Sequence, residues 1–530
     1  MPWKLEEIHR SILQKETHLF DYSKGILKFA LCYPQNYFLG MSNLGFHSTY
    51  HLLNSISFIQ VSRFFFDIGV KDAYRDGFYS LEETKRLSGF DIIGFSVSYE
   101  LDFINIVSIL KKELIPLYSR DRNDSHPLII AGGAAVTINP EPIADIVDII
   151  VIGESENIIQ EVMKEIYENR GSSKINILKR LCKIDSVYIP SFYNFRFEEG
   201  IIAEIINRNE APKKIKRNAP NKLDFCTSTV ILTPDTEFSG SFLFEISRGC
   251  VHKCGFCSVY TCYSPYRYRK YDILRSYFTS FEGLIDKVGI ISADIFSHPE
   301  YEDIIDFFIQ RNIKLSFSSL RMEKVTDKLL DTLKFSGQNT ITIAPESASE
   351  ERRKMIGKLL TDDEIFESLK KISKSAIKRV KMYLMCGLPG YKNEADEILL
   401  FFKKISQYNL KYFKNSIDFI FSINQFVPKP QTFFERNKMA DIEYIDETYK
   451  KIKKDSRGLN IKTDFLDPKI SFMSLVLSRS DRRCANFLEI ISDKGFKTKI
   501  VDLLKEADLK RDFFTGEIKK SSIVPWDLIK

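Results

Sequence analysis

"FLFEISRGCVHKCGFC", residues 242–257, runs an apolar segment straight into three cysteines, Cys250, Cys254 and Cys257. The first part reads as a buried strand, since its residues are apolar apart from Glu245 and Ser247. The second part has C-x3-C-x2-C spacing. Thiolates this close in sequence can converge on one metal centre, and Gly249 and Gly255 let the backbone wrap around it. A structural zinc ion takes four closed ligands, commonly from two paired cysteine units, and a [4Fe–4S] cube also takes four. Only three come at this spacing, and an iron without a protein ligand is open to a substrate or cofactor. Cys262, five positions beyond Cys257, is the alternative fourth ligand for zinc or for iron–sulfur, and spacing alone leaves that alternative open.

Downstream, five further strand candidates make six in all: "VGIISA" (288–293), "IKLSFSS" (313–319), "TITIA" (340–344), "VKMYLMC" (380–386) and "IDFIFSI" (417–423). Helical segments such as "PEYEDIIDFFIQR" and "DDEIFESLKKISK" separate them. Repeated strand–helix units of this kind predict a parallel barrel or a partial one over 242–430. Polar residues follow four strand ends, Ser292 and Asp294, Ser319 and Arg321, and Glu346 among them, and the fifth strand ends in a turn with Gly387, Pro389 and Gly390. In a barrel all these ends share one mouth, where the chemistry is kept. Residues 431–530 read as a charged, helix-rich accessory region.

Upstream, residues 1–25 read as a leader with an amphipathic helix. Over 26–170 apolar strands alternate with helices: "ILKFALCYP", "GFDIIGFSVSY", "PLIIAGGAAV" and "VDIIVIGE". Uniformly apolar strands between helices predict a doubly wound parallel sheet. Its glycines at Gly40, Gly132, Gly133 and Gly153 fall at strand ends, where such sheets bind ligands and also where tight turns need them. There is no G-x-G-x-x-G, so a nicotinamide dinucleotide is not indicated. Residues 171–241 read as an irregular linker, with a solvated basic patch "APKKIKRNAPNK".

Bulk properties narrow the field. A net charge of +6 on 530 residues permits an anionic or nucleic-acid partner without requiring one. The opening carries Lys4, Glu6, Glu7 and Arg10 and has no apolar core of a signal peptide. No uncharged apolar run is long enough to span a membrane. Nine cysteines, scattered apart from the trio, do not make a secreted disulfide framework, and a cytoplasmic location is expected.

C-x3-C-x2-C with Phe256 before the last cysteine resembles the signature of radical S-adenosylmethionine (SAM) enzymes. The resemblance implies a [4Fe–4S] cluster held by Cys250, Cys254 and Cys257, with SAM chelating the open iron and yielding a 5′-deoxyadenosyl radical on reduction. It implies SAM contacts at Phe256, Glu346, Gly387 and Pro389, with Ser319 and Arg321 as further candidates and Arg352 or Arg353 as partners for the SAM carboxylate. It also implies a low-potential electron donor of ferredoxin or flavodoxin type. The N-terminal "GMSNLG", "DIIGFSVSYE", "IIAGGAAVTINPEP" and "VIGESE", with "SRSDRR" (478–483) and the terminal "PWDLI", look like the branch of that family that carries a cobalamin-binding-type domain, so the similarity covers nearly the whole chain. The expected architecture is therefore α/β: a cobalamin-binding-like doubly wound domain, a partial (β/α)6 TIM-like barrel and a helix-rich extension. The D-x-H-x-x-G motif that gives a histidine to cobalt is absent, which leaves open whether a corrinoid binds. His47 and His51, a helical turn apart, read as helix residues rather than ligands.

The expected function is radical SAM chemistry, with cobalamin-assisted methyl or alkyl transfer or rearrangement as the finer reading. The substrate, a small molecule or RNA, is not legible, nor is a catalytic acid or base. One alternative is methylthio transfer to RNA, to which "FVPKP" after the sixth strand is similar. Those enzymes carry three further cysteines in the N-terminal domain, where this chain has only Cys32. The other alternative is a non-catalytic zinc module of the trio plus Cys262.

Overall fold

The computed structural model describes residues 2–530 except 23, 319, 415, 496 and 497. The N-terminal sheet is built from β1 (Leu27–Asn36), β2 (Ile59–Asp67), β3 (Ile92–Ser96), β4 (Leu128–Gly132), β5 (Ile149–Val151) and β6 (Val187–Tyr188). Their order is β2-β1-β3-β4-β5-β6, parallel except for the antiparallel edge strand β6. Register is set by apolar pairs such as Phe29 with Ile92 and Ile130 with Ile149. Buried on both faces, these strands need no polar alternation. The order reverses at β1, so the carboxyl ends of β1 and β3 flank a crevice of the kind in which doubly wound sheets bind ligands.

β2, "IQVSRFFFD", is absent from the sequence expectation because Arg63 interrupts its apolar run. Arg63 is fully buried there, donating to the buried Glu16 (2.7 Å) and to Glu82 (2.5 Å). Glu16 belongs to the leader, whose helix Pro2–Leu13 is followed by Thr17–His18 paired with Ile231–Leu232. The leader is thus pinned into the domain.

The stretch 171–241, expected as a linker, is largely structured. It holds the helix Lys174–Leu181, β6, and an antiparallel hairpin of β7 (Tyr193–Glu198) and β8 (Ile201–Asn207). Ile177, Leu178 and Leu181 bury themselves against the sheet, which a composition reading of the polar surroundings passes over.

The second body is a row of parallel strands: β9 (Phe242–Glu245), β10 (Lys287–Ile291), β11 (Lys314–Phe317), β12 (Thr340–Glu346), β13 (Arg379–Cys386) and β14 (Asp418–Gln425). Among the described residues a single parallel bridge, Leu320 to Ile343, joins its two halves between β11 and β12. A seventh strand, β15 (Ile461–Phe465), pairs parallel with β14 after the helix Ile442–Asp455 and extends the open barrel past residue 430.

From residue 468 the chain returns to the N-terminal domain. The helices Pro468–Arg479 and Cys484–Lys494 join its core through Phe472, Leu475, Val476, Leu477, Phe487 and Leu488. "INPEP" and "SRSDRR" interlock: Asn139 Nδ2 donates to the carbonyls of Ser478 and Ser480 (3.0 and 2.8 Å), and Arg482 Nε donates to Glu141 (2.9 Å). Residues 468–530 are therefore part of the N-terminal domain and not a separate accessory region. Among the described residues no helix is long and apolar enough to cross a membrane.

Candidate active site: the cysteine loop and the adjoining cavity

The cysteines sit on a loop closed at its neck by a short antiparallel pairing of Ser247–Arg248 with Arg267–Tyr268. Cys250, Cys254 and Cys257 are half-buried, while Cys262 is buried. The fold of the loop depends on Gly255. Its N–H donates to Ile356 O (2.9 Å), its carbonyl accepts from Phe434 N (3.3 Å), and a Cβ there would lie 2.7 Å from the Phe434 ring. His252 Nε2 lies 2.9 Å from the Asp294 carboxylate, tying the loop to the end of β10.

Charged side chains from several strand ends approach the thiols. Asp294 and Arg321 act on Cys250, Lys358 and Arg321 on Cys254, and Glu346 and Lys358 on Cys257. Burial pushes all three thiols up from their ordinary value. Coordination to iron would offset that cost by holding them as thiolates.

The expected SAM residues are placed unequally. Phe256 packs with Ile356, Leu388, Phe426 and Phe434 in a small apolar cluster, so the loop and the "GLPG" turn meet through Leu388. Pro389 follows in that turn, half-buried. Gly387 has its N–H donating to Glu394 (2.7 Å), and a Cβ would meet Ala440 at 2.7 Å. Its φ of +80° and this close contact account for its lack of a side chain. Glu346 ends β12 with φ +69°, an unfavourable backbone for a glutamate and one that clusters at functional sites. Burial raises its carboxyl, and Lys358 Nζ, 3.7 Å away, opposes the rise. Arg321 is half-buried and paired with Glu323. Ser319 lies outside the described residues. The two arginines after Glu346 are already engaged: Arg352 with Glu397 (2.8 Å), and the fully buried Arg353 with Asp362 and the carbonyls of Ser347 and Leu360.

Cys262 is buried where the trio is half-buried. Its Sγ faces Ala134 O (3.9 Å) and lines a separate cavity. Among the described residues no three His, Cys, Asp or Glu side chains converge closely enough to hold a single metal ion. A cube does not require that, because each thiolate binds a different iron. The donor set fits a three-cysteine cluster.

The cavity, about 540 Å³, lies between the carboxyl edge of the N-terminal sheet and the root of the cysteine loop. Phe29, Leu31, Phe95 and Ile130 line it from β1, β3 and β4, and Ser247, Val259 and Tyr263 from the loop side. Gly132 leaves it open: a Cβ there would find only Val151 O, at 4.0 Å. The two histidines of the helix Leu44–Asn54 are occupied elsewhere. His47 is buried against Met41 O (2.9 Å), and His51 Nδ1 lies 2.7 Å from the Tyr22 hydroxyl. Cys32 is buried within β1, so the N-terminal domain presents no second cysteine cluster among the described residues.

Residues 244–402 match the family model described as the radical SAM superfamily, and residues 45–190 match that of radical SAM proteins, N-terminal. The two together span more than half of the chain. The chain belongs to the radical SAM superfamily. It is an enzyme, and membership brings a [4Fe–4S] cluster, SAM and a need for an external reductant. Among curated relatives, the uncharacterized protein MJ0966 of Methanocaldococcus jannaschii is 27% identical over 516 residues, covering 94% of this chain and 98% of that one. A second uncharacterized protein of the same organism, MJ1620, is 24% identical, covering 80% and 85%. Among solved structures, the radical SAM methyltransferase TsrM of Kitasatospora setae, with cobalamin and a [4Fe–4S] cluster bound, aligns with a TM-score of 0.48 at 11% identity, over 75% of this chain and 74% of that one. The cobalamin-dependent radical SAM enzyme OxsB aligns with a TM-score of 0.47 at 13% identity, over 91% and 76%.

The sequence reading missed His252 and Lys358. His252 meets Asp294 42 positions on, and Lys358 reaches back to Glu346 across an intervening helix, so no local pattern marks either.

Proposed function

We propose that this radical SAM enzyme holds its cluster by Cys250, Cys254 and Cys257 and works with a corrinoid in the neighbouring cavity to move a methyl or alkyl group, or to rearrange a carbon skeleton. The observation that carries this reading is the cavity itself: it opens at the switch point of the doubly wound sheet and is walled on its far side by the root of the cysteine loop. Cluster and SAM supply carbon-radical chemistry, and a corrinoid supplies a carrier for the alkyl group.

The chain's own residues have separable tasks in this reading. The three thiolates leave one iron for SAM. Phe256 and Leu388 give SAM an apolar wall, and Glu346 with Lys358 sets a polar side to the same space. Phe29, Leu31, Phe95 and Ile130 keep water from the cavity, where a reactive intermediate would otherwise be quenched. A corrinoid held here would draw no ligand from the helix Leu44–Asn54, since His47 and His51 are engaged with Met41 O and the Tyr22 hydroxyl. A ferredoxin- or flavodoxin-type protein fits the role of electron donor.

The test is anaerobic purification with iron, sulfide and cobalt analysis after supplying hydroxocobalamin, followed by measurement of 5′-deoxyadenosine formed from SAM with a chemical reductant. Wild type should carry about four iron per chain, retain cobalt and form 5′-deoxyadenosine. Cys254→Ala should lose iron and SAM cleavage, and Cys262→Ala should keep both. Loss of iron in the Cys262 variant would overturn the three-thiolate assignment. Retention of iron without cobalt would leave a radical SAM enzyme with no corrinoid.

A further inference from the structure

The cavity wall nearest the cysteines carries a buried set of charges that the chemistry above does not use. Glu154 follows β5 and its side chain is only 1% exposed. Its carboxylate accepts from Arg248 Nη1 (2.7 Å) and from Arg267 Nη1 and Nη2 (3.1 and 2.5 Å). These two arginines face each other across the pairing that forms the neck of the cysteine loop. Every residue from 249 to 266, the three cysteines included, hangs from that neck.

The surroundings make the link rigid. Arg248 also pairs with Glu156 and Glu245 (2.8 Å each), and Arg269 pairs with Glu245 (2.8 Å). Three carboxylates thus meet three guanidiniums. Asn218 Nδ2 donates to the carbonyls of Glu154 and Glu156 (2.6 and 3.0 Å), fixing the backbone that carries the acids. On the return side of the loop, Arg217 donates to the carbonyls of Cys262 and Ser264 (2.9 and 2.6 Å). Buried ion pairs give little net stability over an apolar replacement of the same volume, yet losing one partner is strongly destabilising at that spot. Such a network fixes geometry more than it adds stability.

We infer that Glu154 is a positioning residue: through Arg248 and Arg267 it holds the cysteine loop against the N-terminal cavity and thereby shapes the environment of the cluster. The inference rests on cluster binding by this loop and is independent of what fills the cavity. Glu154→Gln keeps the shape of the side chain and removes the charge that both guanidiniums share.

Hydrogen–deuterium exchange on the full chain without cluster gives the direct readout. In Glu154→Gln, amides of 249–266 should exchange at least about tenfold faster, while β1, β3 and β4 keep wild-type protection. Glu154→Asp, able to reach one arginine, should fall between the two. After anaerobic reconstitution, Glu154→Gln should retain iron but show a shifted or broadened electron paramagnetic resonance signal of the reduced cluster with SAM present. Should Glu154→Gln not fold, Arg267→Lys, which keeps the charge and loses the fork, is expected to give the same local exchange pattern. Equal acceleration across sheet and loop would reduce Glu154 to a stabilising residue and overturn the inference, as would loop exchange and a cluster signal both unchanged. A wild-type protein that binds no cluster would instead overturn the radical SAM assignment, and the exchange comparison would still stand.

Discussion

His47 sits wholly inside the N-terminal domain, donating from Nε2 to Met41 O and accepting from Val230 N at Nδ1. Burial lowers its pKa from 6.5 to about 4, with the Met41 carbonyl opposing the shift and Arg63 adding to it. The folded chain therefore refuses a proton that the unfolded chain takes up below pH 6.5. The stability this represents is fully present above that pH and is lost as pH falls toward 4. At pH 5 the loss is about 2 kcal/mol. Denaturation of the cluster-free protein should show that His47→Gln loses about that much less stability than wild type between pH 7 and pH 5. An unchanged pH dependence would mean that the imidazole is accessible to water. At this scale sequence reading has a sharp limit. Three cysteines and Gly255 lie within one short segment, and their spacing carries the family resemblance. Glu154 and Arg248 are 94 positions apart, and nothing in either neighbourhood announces that one will meet the other.

The segment after β14 shows the same limit for elements. Residues 426–440 run from the barrel past the cysteine loop to the N-terminal domain. Phe434 covers Gly255, Thr261 donates to Gln431 O (2.9 Å), and Gln431 Nε2 donates to the carbonyls of Thr137 and Ile138 (2.9 and 2.7 Å). Farther on, the buried Arg479 donates to Glu435 O and Asn437 O. The six strands of the barrel were legible because each carries apolar residues at consecutive or alternate positions and is bounded by helices. This segment has no period, so only its contacts reveal that it braces the metal loop. β15 escaped for a related reason: in "IKTDF" three of five residues are polar or charged, as suits an edge strand. Gly255→Ala tests the brace. Its methyl would lie 2.7 Å from the Phe434 ring, so either the ring or the loop must move, at a cost of about 1–3 kcal/mol. The variant should fold, with near-wild-type far-ultraviolet circular dichroism, and lose most of its iron on desalting after anaerobic reconstitution. Wild-type iron retention would mean that the loop tolerates displacement of Phe434.

At the scale of the molecule, the chain leaves the N-terminal domain, builds the barrel and returns to finish what it left. Its last sixty-odd residues were legible as helices but not as to partner, because "ISFMSLVLSRS" is buried on nearly every side, its serines included, and a helix period cannot name the surface it meets. The helix Asp102–Lys112 meets the helix Cys484–Lys494 through Ser108 with Ser492 (2.9 Å) and Lys111 with Asp493 (2.6 Å). Around these contacts Phe472, Leu475, Val476, Leu477, Phe487, Leu488 and Ile491 are all at most 2% exposed. At about 1.5–3 kcal/mol per fully buried side chain, these seven contribute on the order of 10 kcal/mol even after allowance for a compact unfolded state. That is comparable to the whole stability of an ordinary domain, about 5–15 kcal/mol. A chain ending at residue 467 should therefore leave the doubly wound sheet without a closed core. The expected outcome is aggregation on expression, with rapid proteolysis inside residues 26–207. Supplying residues 468–530 as a separate polypeptide in the same cells should restore soluble protein, because the missing surface is contributed by packing and not by chain continuity. Soluble, protease-resistant protein from the truncated chain alone would show that the N-terminal domain closes its core without the returning helices, and that the chain's last segment serves some other end.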